Sequence, residues 1–351
     1  ERVRAAIKNS GFEFPVRRIT VNMAPADTRK EGSGFDIPIA LSILAAAGTI
    51  KQESMEGYML IGELALDGAV RPVTGMLCKA IAARELGIKK LMVPYENVRE
   101  VSMVKGLEIY PVSTLKEAVD HFSGTSHMEP AIFSETCEKE ETINYEDFSE
   151  VKGQKNAKRA LEVAASGGHN IIMIGSPGSG KTMLARRLPS ILPDLTFEES
   201  LEVTKIYSVS GLLSHNSPLL IKRPFRSPHH TISTVSLVGG GRNPKPGEVS
   251  LAHHGVLFLD EIPEFPRITL DVLRQPLEDG VVHISRVHGT VTYPCRFMLV
   301  AAANPCKCGY YGDPTQNCTC SLRDAENYLS RLSGPIMDRI DIHIQVPSLK
   351  Y

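Results

Sequence analysis

Asn170-Ile171-Ile172-Met173-Ile174-Gly175-Ser176-Pro177-Gly178-Ser179-Gly180-Lys181-Thr182 is an apolar run that opens into a glycine-rich loop. The run is short and rich in isoleucine, as a parallel strand buried on both faces should be. Behind the loop, Met183-Leu184-Ala185-Arg186-Arg187-Leu188 carries apolar residues at helical spacing. Strand, loop and helix in that order read as a phosphate-binding loop. Gly175, Gly178 and Gly180 let the backbone curl with its N–H groups inward, and the start of the helix adds its positive end to the same concavity. Ser176, Pro177 and Ser179 complete the cradle. Lys181 reaches the β- and γ-phosphates of a nucleoside triphosphate such as ATP, and the Thr182 hydroxyl ligates Mg²⁺. The alternative, a chance glycine-rich turn, must also account for the strand and helix on either side.

A second apolar strand, Gly255-Val256-Leu257-Phe258-Leu259, ends in Asp260-Glu261. In a parallel sheet the ligand crevice lies at the carboxyl ends of the strands, so these carboxylates share an edge with the phosphate loop. Asp260 is expected to hold Mg²⁺, directly or through water, and Glu261 to orient and activate the attacking water. Their alternative is to cap the following helix. The strand Phe297–Ala303 ends at Asn304, which either holds the water near the γ-phosphate or is a plain turn residue. Ser333-Gly334-Pro335-Ile336-Met337-Asp338-Arg339-Ile340-Asp341 carries an arginine in a tightly specified turn. Arg339 either neutralises transition-state charge in a neighbouring subunit or forms a surface salt bridge with Asp338 or Asp341.

With 351 residues the chain has room for two or more cores. Hydrophobic residues at 42% and charged residues at 23% are those of a soluble globular protein. No apolar run approaches the ~20 residues of a membrane span and no signal peptide is visible, so no membrane association and a cytoplasmic location are expected. The chain starts at Glu1 without methionine and within a helical pattern, which reads as a fragment lacking its N-terminus. A net charge of −1 means that any nucleic-acid contact must come from a local patch.

Residues 1–123 read as a small α+β domain. Its elements are a strand at Val16–Met23, a buried helix at Asp36–Ala47 and a hairpin of Tyr58–Leu66 with Ala69–Val73. A helix at Gly75–Glu85, strands at Lys90–Pro94 and Glu108–Val112 and a helix at Thr114–Phe122 follow. Periodicity disappears over 124–146, which reads as a linker. From 147 to 351, strands alternate with helices, beginning with a helix at Gln154–Ala165, as an α/β parallel sheet requires.

Phosphate loop, Asp260-Glu261, Asn304 and the Arg339 element, in that order, resemble an AAA+ ATPase of the magnesium-chelatase/MCM branch. Arg223-Pro224-Phe225-Arg226-Ser227-Pro228-His229-His230-Thr231-Ile232-Ser233, Gly239-Gly240-Gly241 and Ala303-Asn304-Pro305-Cys306 bring the chain closer still to the ComM/YifB proteins, magnesium-chelatase-like ATPases tied to natural transformation and recombination. That resemblance covers essentially the whole chain. It implies a P-loop AAA+ core, with its parallel sheet between helices, behind a Lon-protease-like (S5-type) α+β domain. It also implies a homo-hexameric ring that remodels single-stranded or branched DNA with energy from ATP. The family's C-terminal lid, with its second sensor arginine, falls after Tyr351, so the fragment is expected not to hydrolyse ATP normally.

The first domain departs from its protease cousins where chemistry matters. Arg29-Lys30-Glu31-Gly32-Ser33-Gly34-Phe35-Asp36 resembles the Lon nucleophile segment, but Gly34 stands at the serine and Leu77 at the lysine. A register shift would offer Ser33 and Lys79 as a dyad; a docking or assembly role is the stronger reading. Four of seven cysteines cluster as Cys306-Lys307-Cys308 and Cys318-Thr319-Cys320, and in a cytosolic chain such a loop holds one tetrahedral Zn²⁺ or stays reduced and metal-free. The one-residue spacing within each pair is tighter than usual. Lys222, Arg223, Arg226, His229, His230, Arg242 and Lys245 gather positive or titratable groups in one loop-rich insertion. Val281–Thr292 alternates as a hairpin turning near His288-Gly289, with Arg286 and His288 at its tip. In the resembled branch such hairpins line the pore. Arg226, Arg242, Arg286 and His288 are therefore the expected DNA contacts, the alternative being a solvated charged face. The resulting reading is an ATP-driven DNA helicase or branch-migration translocase. A magnesium-chelatase subunit driving metal insertion is a second reading, although such subunits resemble only the second half. An ATP-dependent protease is a third, with Gly34 and Leu77 against it.

Overall fold

The computed structural model describes residues 1–24, 32–131, 146–213, 219–241, 244–286, 289–314, 316–332 and 334–348. Most of the expected linker, Arg29–Glu31, Arg242, His288 and Ser333 lie outside them, as do the side chains of Arg286 and Gly289. The chain forms two compact units: Glu1–Glu138 with Ser208–Leu219, and Lys139–Tyr207 with Leu220–Tyr351.

The first unit contains α1 (Arg2–Asn9), α2 (Asp36–Ala46), β1 (Tyr58–Leu60), β2 (Glu63–Leu64), β3 (Val70–Arg71), α3 (Met76–Glu85), α4 (Val98–Val101) after β4 (Lys90–Pro94), β5 (Glu108–Val112) and α5 (Leu115–Ser123). A parallel three-stranded sheet runs β1-β4-β5, with Tyr58 opposite Lys90 and Lys90 opposite Glu108. Its core gathers Ile37, Leu41 and Leu44 from α2 against Leu115, Val119 and Phe122 from α5. Helix α5 starts where the Thr114 hydroxyl accepts the Glu117 N–H and stops at Gly124, whose φ of +79° few side chains tolerate. The expected hairpin divides: β2 pairs antiparallel with β3, while β1 joins β4 in the other sheet. No strand forms at Val16–Met23. That stretch is irregular, with Val16, Ile19 and Val21 exposed. An alternating pattern makes a strand only where a sheet edge and an apolar face receive it.

The second unit contains α6 (Lys155–Gly167), β6 (Ile171–Ile174), α7 (Lys181–Arg187), α8 (Phe197–Ser210) as far as Tyr207, β7 (Phe225–Arg226), α9 (Thr234–Val238), β8 (Gly239–Gly240), β9 (Lys245–Pro246), α10 (Glu248–Leu251) and β10 (Val256–Leu259). After these come α11 (Arg267–Asp271), α12 (Arg274–Asp279), β11 (Val281–Arg286), β12 (Gly289–Pro294), β13 (Met298–Ala303), α13 (Leu322–Leu329), α14 (Gly334–Met337) and β14 (Ile342–Gln345). Five strands form one parallel sheet in the order β14-β6-β13-β10-β7. Its register sets Ile171 opposite Val300 and Ile342, and Val256 opposite Met298 and Phe225. Alternate residues feed two cores. Ile172, Leu257, Leu259, Leu299 and Ala301 enter one with Ile262, Leu273 and Ile336. Ile171, Met173, Val256, Phe258 and Val300 enter the other with Leu161, Leu184 and Leu188. Apolar residues on both faces are what a sheet covered by helices on both sides needs, and this is the P-loop AAA+ arrangement. Strands β11 and β12 pair antiparallel, with Arg286 opposite Gly289, as a hairpin between β10 and β13 in sequence. Among the described residues no helix is long and apolar enough to cross a membrane.

Candidate functional site

Strand β6 is the middle member of β14-β6-β13, and the glycine loop leaves its carboxyl end. Gly178 and Gly180 take φ of +77° and +93°, left-handed values that turn the chain back toward α7. Gly175 donates its N–H to Ala303 O at 3.1 Å, and a Cβ there would collide with the Val346 carbonyl. Gln154 Nε2 donates to Ser179 O at 3.1 Å and to Pro347 O at 2.8 Å, tying the loop to both a preceding and a following segment. Gln154 holds a left-handed φ of +49° to do so.

The Lys181 ammonium donates to Gly175 O (2.5 Å), Ser176 O (2.9 Å) and Asn304 Oδ1 (3.2 Å). Burial lowers its pKa, and Asp260 and Glu261 oppose that shift. The Thr182 hydroxyl donates to Asp260 Oδ2 at 2.7 Å, joining two motifs 78 residues apart. Asp260 Oδ1 accepts the Glu261 N–H at 3.0 Å. Glu261 has a φ of +50° and makes no capping hydrogen bond, so the helix-cap alternative is not realised; its side chain is exposed at the strand ends. Loop, Asp260, Glu261 and Asn304 thus converge at one sheet edge.

The donor set fits a magnesium-bound triphosphate. Ser179 Oγ is buried without a hydrogen-bond partner, one of few such atoms among the described residues. A hydroxyl and a carboxylate, the hard oxygen ligands that Mg²⁺ prefers, already touch.

Other expected residues stand differently. Arg339 pairs with Glu278 and donates to Pro335 O at 2.6 Å, so its salt bridge is with neither Asp338 nor Asp341. Asp341 instead accepts the Asn170 N–H at 2.8 Å. Arg226 is bidentate on Glu248 at 2.6 and 2.8 Å, which neutralises it within the fold. Arg223 donates to Pro193 O (2.5 Å) and His254 O (2.7 Å). The basic insertion therefore spends two of its arginines on its own structure. In the first unit the Ser33 hydroxyl meets Glu63, while the Lys79 ammonium donates to Thr74 O at 2.8 Å. The alternative Ser33–Lys79 dyad is not assembled.

The four cysteine sulfurs lie within 4.8 Å of one another, with Cys306 Sγ 3.3 Å from Cys308 Sγ and 3.7 Å from Cys318 Sγ. No disulfide joins them. Backbone N–H groups of Tyr310 and Thr319 point at Cys308 Sγ and bring its pKa down to about 5. Sequence reasoning missed two participants. Gln154 gives no local sign that its amide reaches the loop. Asp313, which reads as a turn residue beside Gly312 and Pro314, accepts the Ser176 hydroxyl proton.

Comparison with known proteins agrees with this geometry. The family model described as "Magnesium chelatase, subunit ChlI" matches residues 147–351, and "Subunit ChlI of Mg-chelatase" matches residues 1–97. Uncharacterized protein YifB of Escherichia coli is 45% identical over 347 residues, covering 99% of this chain and 67% of that protein. Competence protein ComM of Haemophilus influenzae is 45% identical over 356 residues, covering 99% and 68%. Lon protease 2 of Bacillus subtilis is 30% identical over 121 residues, 34% of this chain and 21% of that protein, in the N-terminal region. The chain thus spans about two thirds of the length of these relatives. On sequence, fold and assembled phosphate loop alike, the chain belongs to the ComM/YifB family of magnesium-chelatase-like AAA+ ATPases.

Proposed function

We propose that this chain is the ATP-hydrolysing part of a hexameric, cytoplasmic DNA-remodelling motor. The observation that carries the ATPase reading is the convergence of Thr182 on Asp260 and of Lys181 on Asn304 at one sheet edge. The loop N–H groups and Lys181 bind the phosphates. Glu261 takes a proton from the attacking water, and Asn304 orients that water. Thr182 and Asp260 would hold Mg²⁺, which when bound would neutralise charge developing on the phosphates. Arg339 would serve a neighbouring subunit's site after leaving Glu278. The four cysteines are read as a zinc site.

DNA coupling rests on the ComM relationship and on the β11–β12 hairpin, which is tied by sequence to the two strands that carry Asp260 and Asn304. Arg286, which ends β11, is the remaining candidate contact among the described residues, and the sequence adds His288 and Arg242. Contacts to phosphates carry no base information, so binding should tolerate sequence and weaken steeply with salt. The test is ATPase activity of the full-length protein with and without single-stranded and branched DNA. Stimulation that Arg286→Ala removes, with basal hydrolysis kept, supports the reading. Salt-insensitive DNA binding and unchanged stimulation in that variant would refute it. The description of the model matching 147–351 favours a second reading, an ATPase subunit for metal insertion into a porphyrin; stimulation by a porphyrin and not by DNA would select it.

A further inference from the structure

The cysteine loop does not stand apart from the phosphate loop. Gly309, with φ of +91°, is so close to Pro177 that a Cβ built on it would stand 2.7 Å from the proline ring. Four residues on, Asp313 accepts the hydrogen of the Ser176 hydroxyl and also that of Ser348 at 3.4 Å. Both contacts are made from inside the segment that Cys306 and Cys308 open and Cys318 and Cys320 close. Pro177 and Ser176 are members of the phosphate cradle itself.

The sulfurs are placed for one ion. A tetrahedral zinc with bonds of about 2.3 Å sets its thiolates roughly 3.8 Å apart. The measured separations of 3.3, 3.4 and 3.7 Å approach that edge and far exceed a disulfide bond. Cys306 is fully buried and the other three are half-buried, so the centre is shielded but reachable.

Resting on the zinc and ATP readings above, we propose that Zn²⁺ bound by Cys306, Cys308, Cys318 and Cys320 is a clasp that braces the phosphate loop and thereby raises its affinity for ATP. Closing the segment on the ion fixes Gly309 against Pro177 and Asp313 on Ser176. The cradle then no longer loses that freedom when it closes on phosphates. The Asp313 carboxylate also brings negative charge near the loop, which acts in the opposite sense. It is partly solvated and therefore screened, so the bracing term dominates. Coupling between sites is reciprocal, so ATP must tighten zinc by the same factor that zinc tightens ATP.

The test uses full-length protein purified without a His tag. Zinc is assayed by elemental analysis, and a fluorescent ATP analogue is titrated into zinc-loaded protein and into protein stripped under reducing conditions. One zinc per chain is expected, with about tenfold weaker nucleotide binding after stripping, restored by added zinc. Asp313→Ala, which leaves every thiol in place, guards against unfolding on stripping; it should keep the zinc and lose affinity several-fold. Zinc present but affinity unchanged in both the stripped protein and Asp313→Ala overturns the clasp while the zinc and ATP sites stand. Tighter binding on stripping overturns it too, showing that the carboxylate's charge prevails. Absence of zinc even after reconstitution removes the metal site and the clasp together. Failure of zinc-loaded protein to bind nucleotide removes the ATP reading on which both rest.

Discussion

Glu261 holds its backbone in the left-handed region, at φ +50°, where a residue with a Cβ is kept only by its surroundings. Asp260 supplies them by accepting the Glu261 N–H, so the candidate metal carboxylate and the candidate base are set by one hydrogen bond. Glu261→Gln keeps that backbone and should leave ATP affinity within about twofold while lowering turnover by ~10²-fold or more. Normal turnover in that variant would assign the base elsewhere. Lys181→Ala should instead abolish binding in the same titration. A different residue contributes to acid sensitivity. His253 is buried, accepts the Arg296 N–H on Nδ1 and meets Glu202 through Nε2, with His254 beside it. Burial lowers its pKa to about 4. A depressed pKa means that between about 6.5 and 4 the unfolded chain binds the proton and the folded one does not. Stability is therefore intact above pH 6.5 and falls from there to about pH 4, by roughly 3 kcal/mol for the full shift. Denaturant midpoints measured across that window should flatten in His253→Gln. The glycines, Lys181, Thr182, Asp260 and Asn304 were legible as residues because a phosphate cradle admits few substitutes. Gln154 and Asp313 were not, since their partners lie 25 and 137 residues away and no local pattern encodes such a meeting.

At the scale of elements, strands buried on both faces were easiest to find. Lys90–Pro94 and Glu108–Val112 fall where continuous apolar runs place them, and β6, β10 and β13 differ from expectation only at their ends. Val16–Met23 failed because its alternation met no partner among the described residues. Strand β7 is not legible in the sequence because two residues, Phe225 and Arg226, carry no period at all. Its place at the sheet edge is nonetheless secured by packing: Phe225 stacks on Phe258 with centroids 5.9 Å apart, and Phe258 is fully buried. Phe258→Ala should cost about 3–5 kcal/mol in a denaturant titration, with the transition still cooperative. A loss below about 1 kcal/mol would mean that this ring does not anchor the core it shares with Leu161 and Leu184.

For the whole molecule, the arginine element raises a question of assembly. Arg339 is held to Glu278 and to Pro335 O, and its Nε is buried without a partner. Service in a neighbour's site requires that ion pair to open. Arg339→Ala in the full-length protein should leave ATP affinity unchanged and reduce turnover by ~10³-fold, and mixing it with Lys181→Ala protein should restore part of the activity. No recovery in mixtures would confine Arg339 to its own subunit. The same sheet also orders events during synthesis. Strand β6 takes its two neighbours, β13 and β14, from segments made later, and the Gln154 amide waits for Pro347, 193 residues downstream. At ribosomal speeds of about 5–20 residues per second, that is roughly 10–40 s during which the glycine loop exists without its walls. A nascent chain stalled before Val346 should therefore carry the complete motif and still fail to retain nucleotide, and ATP cannot assist folding until translation of this region is nearly finished.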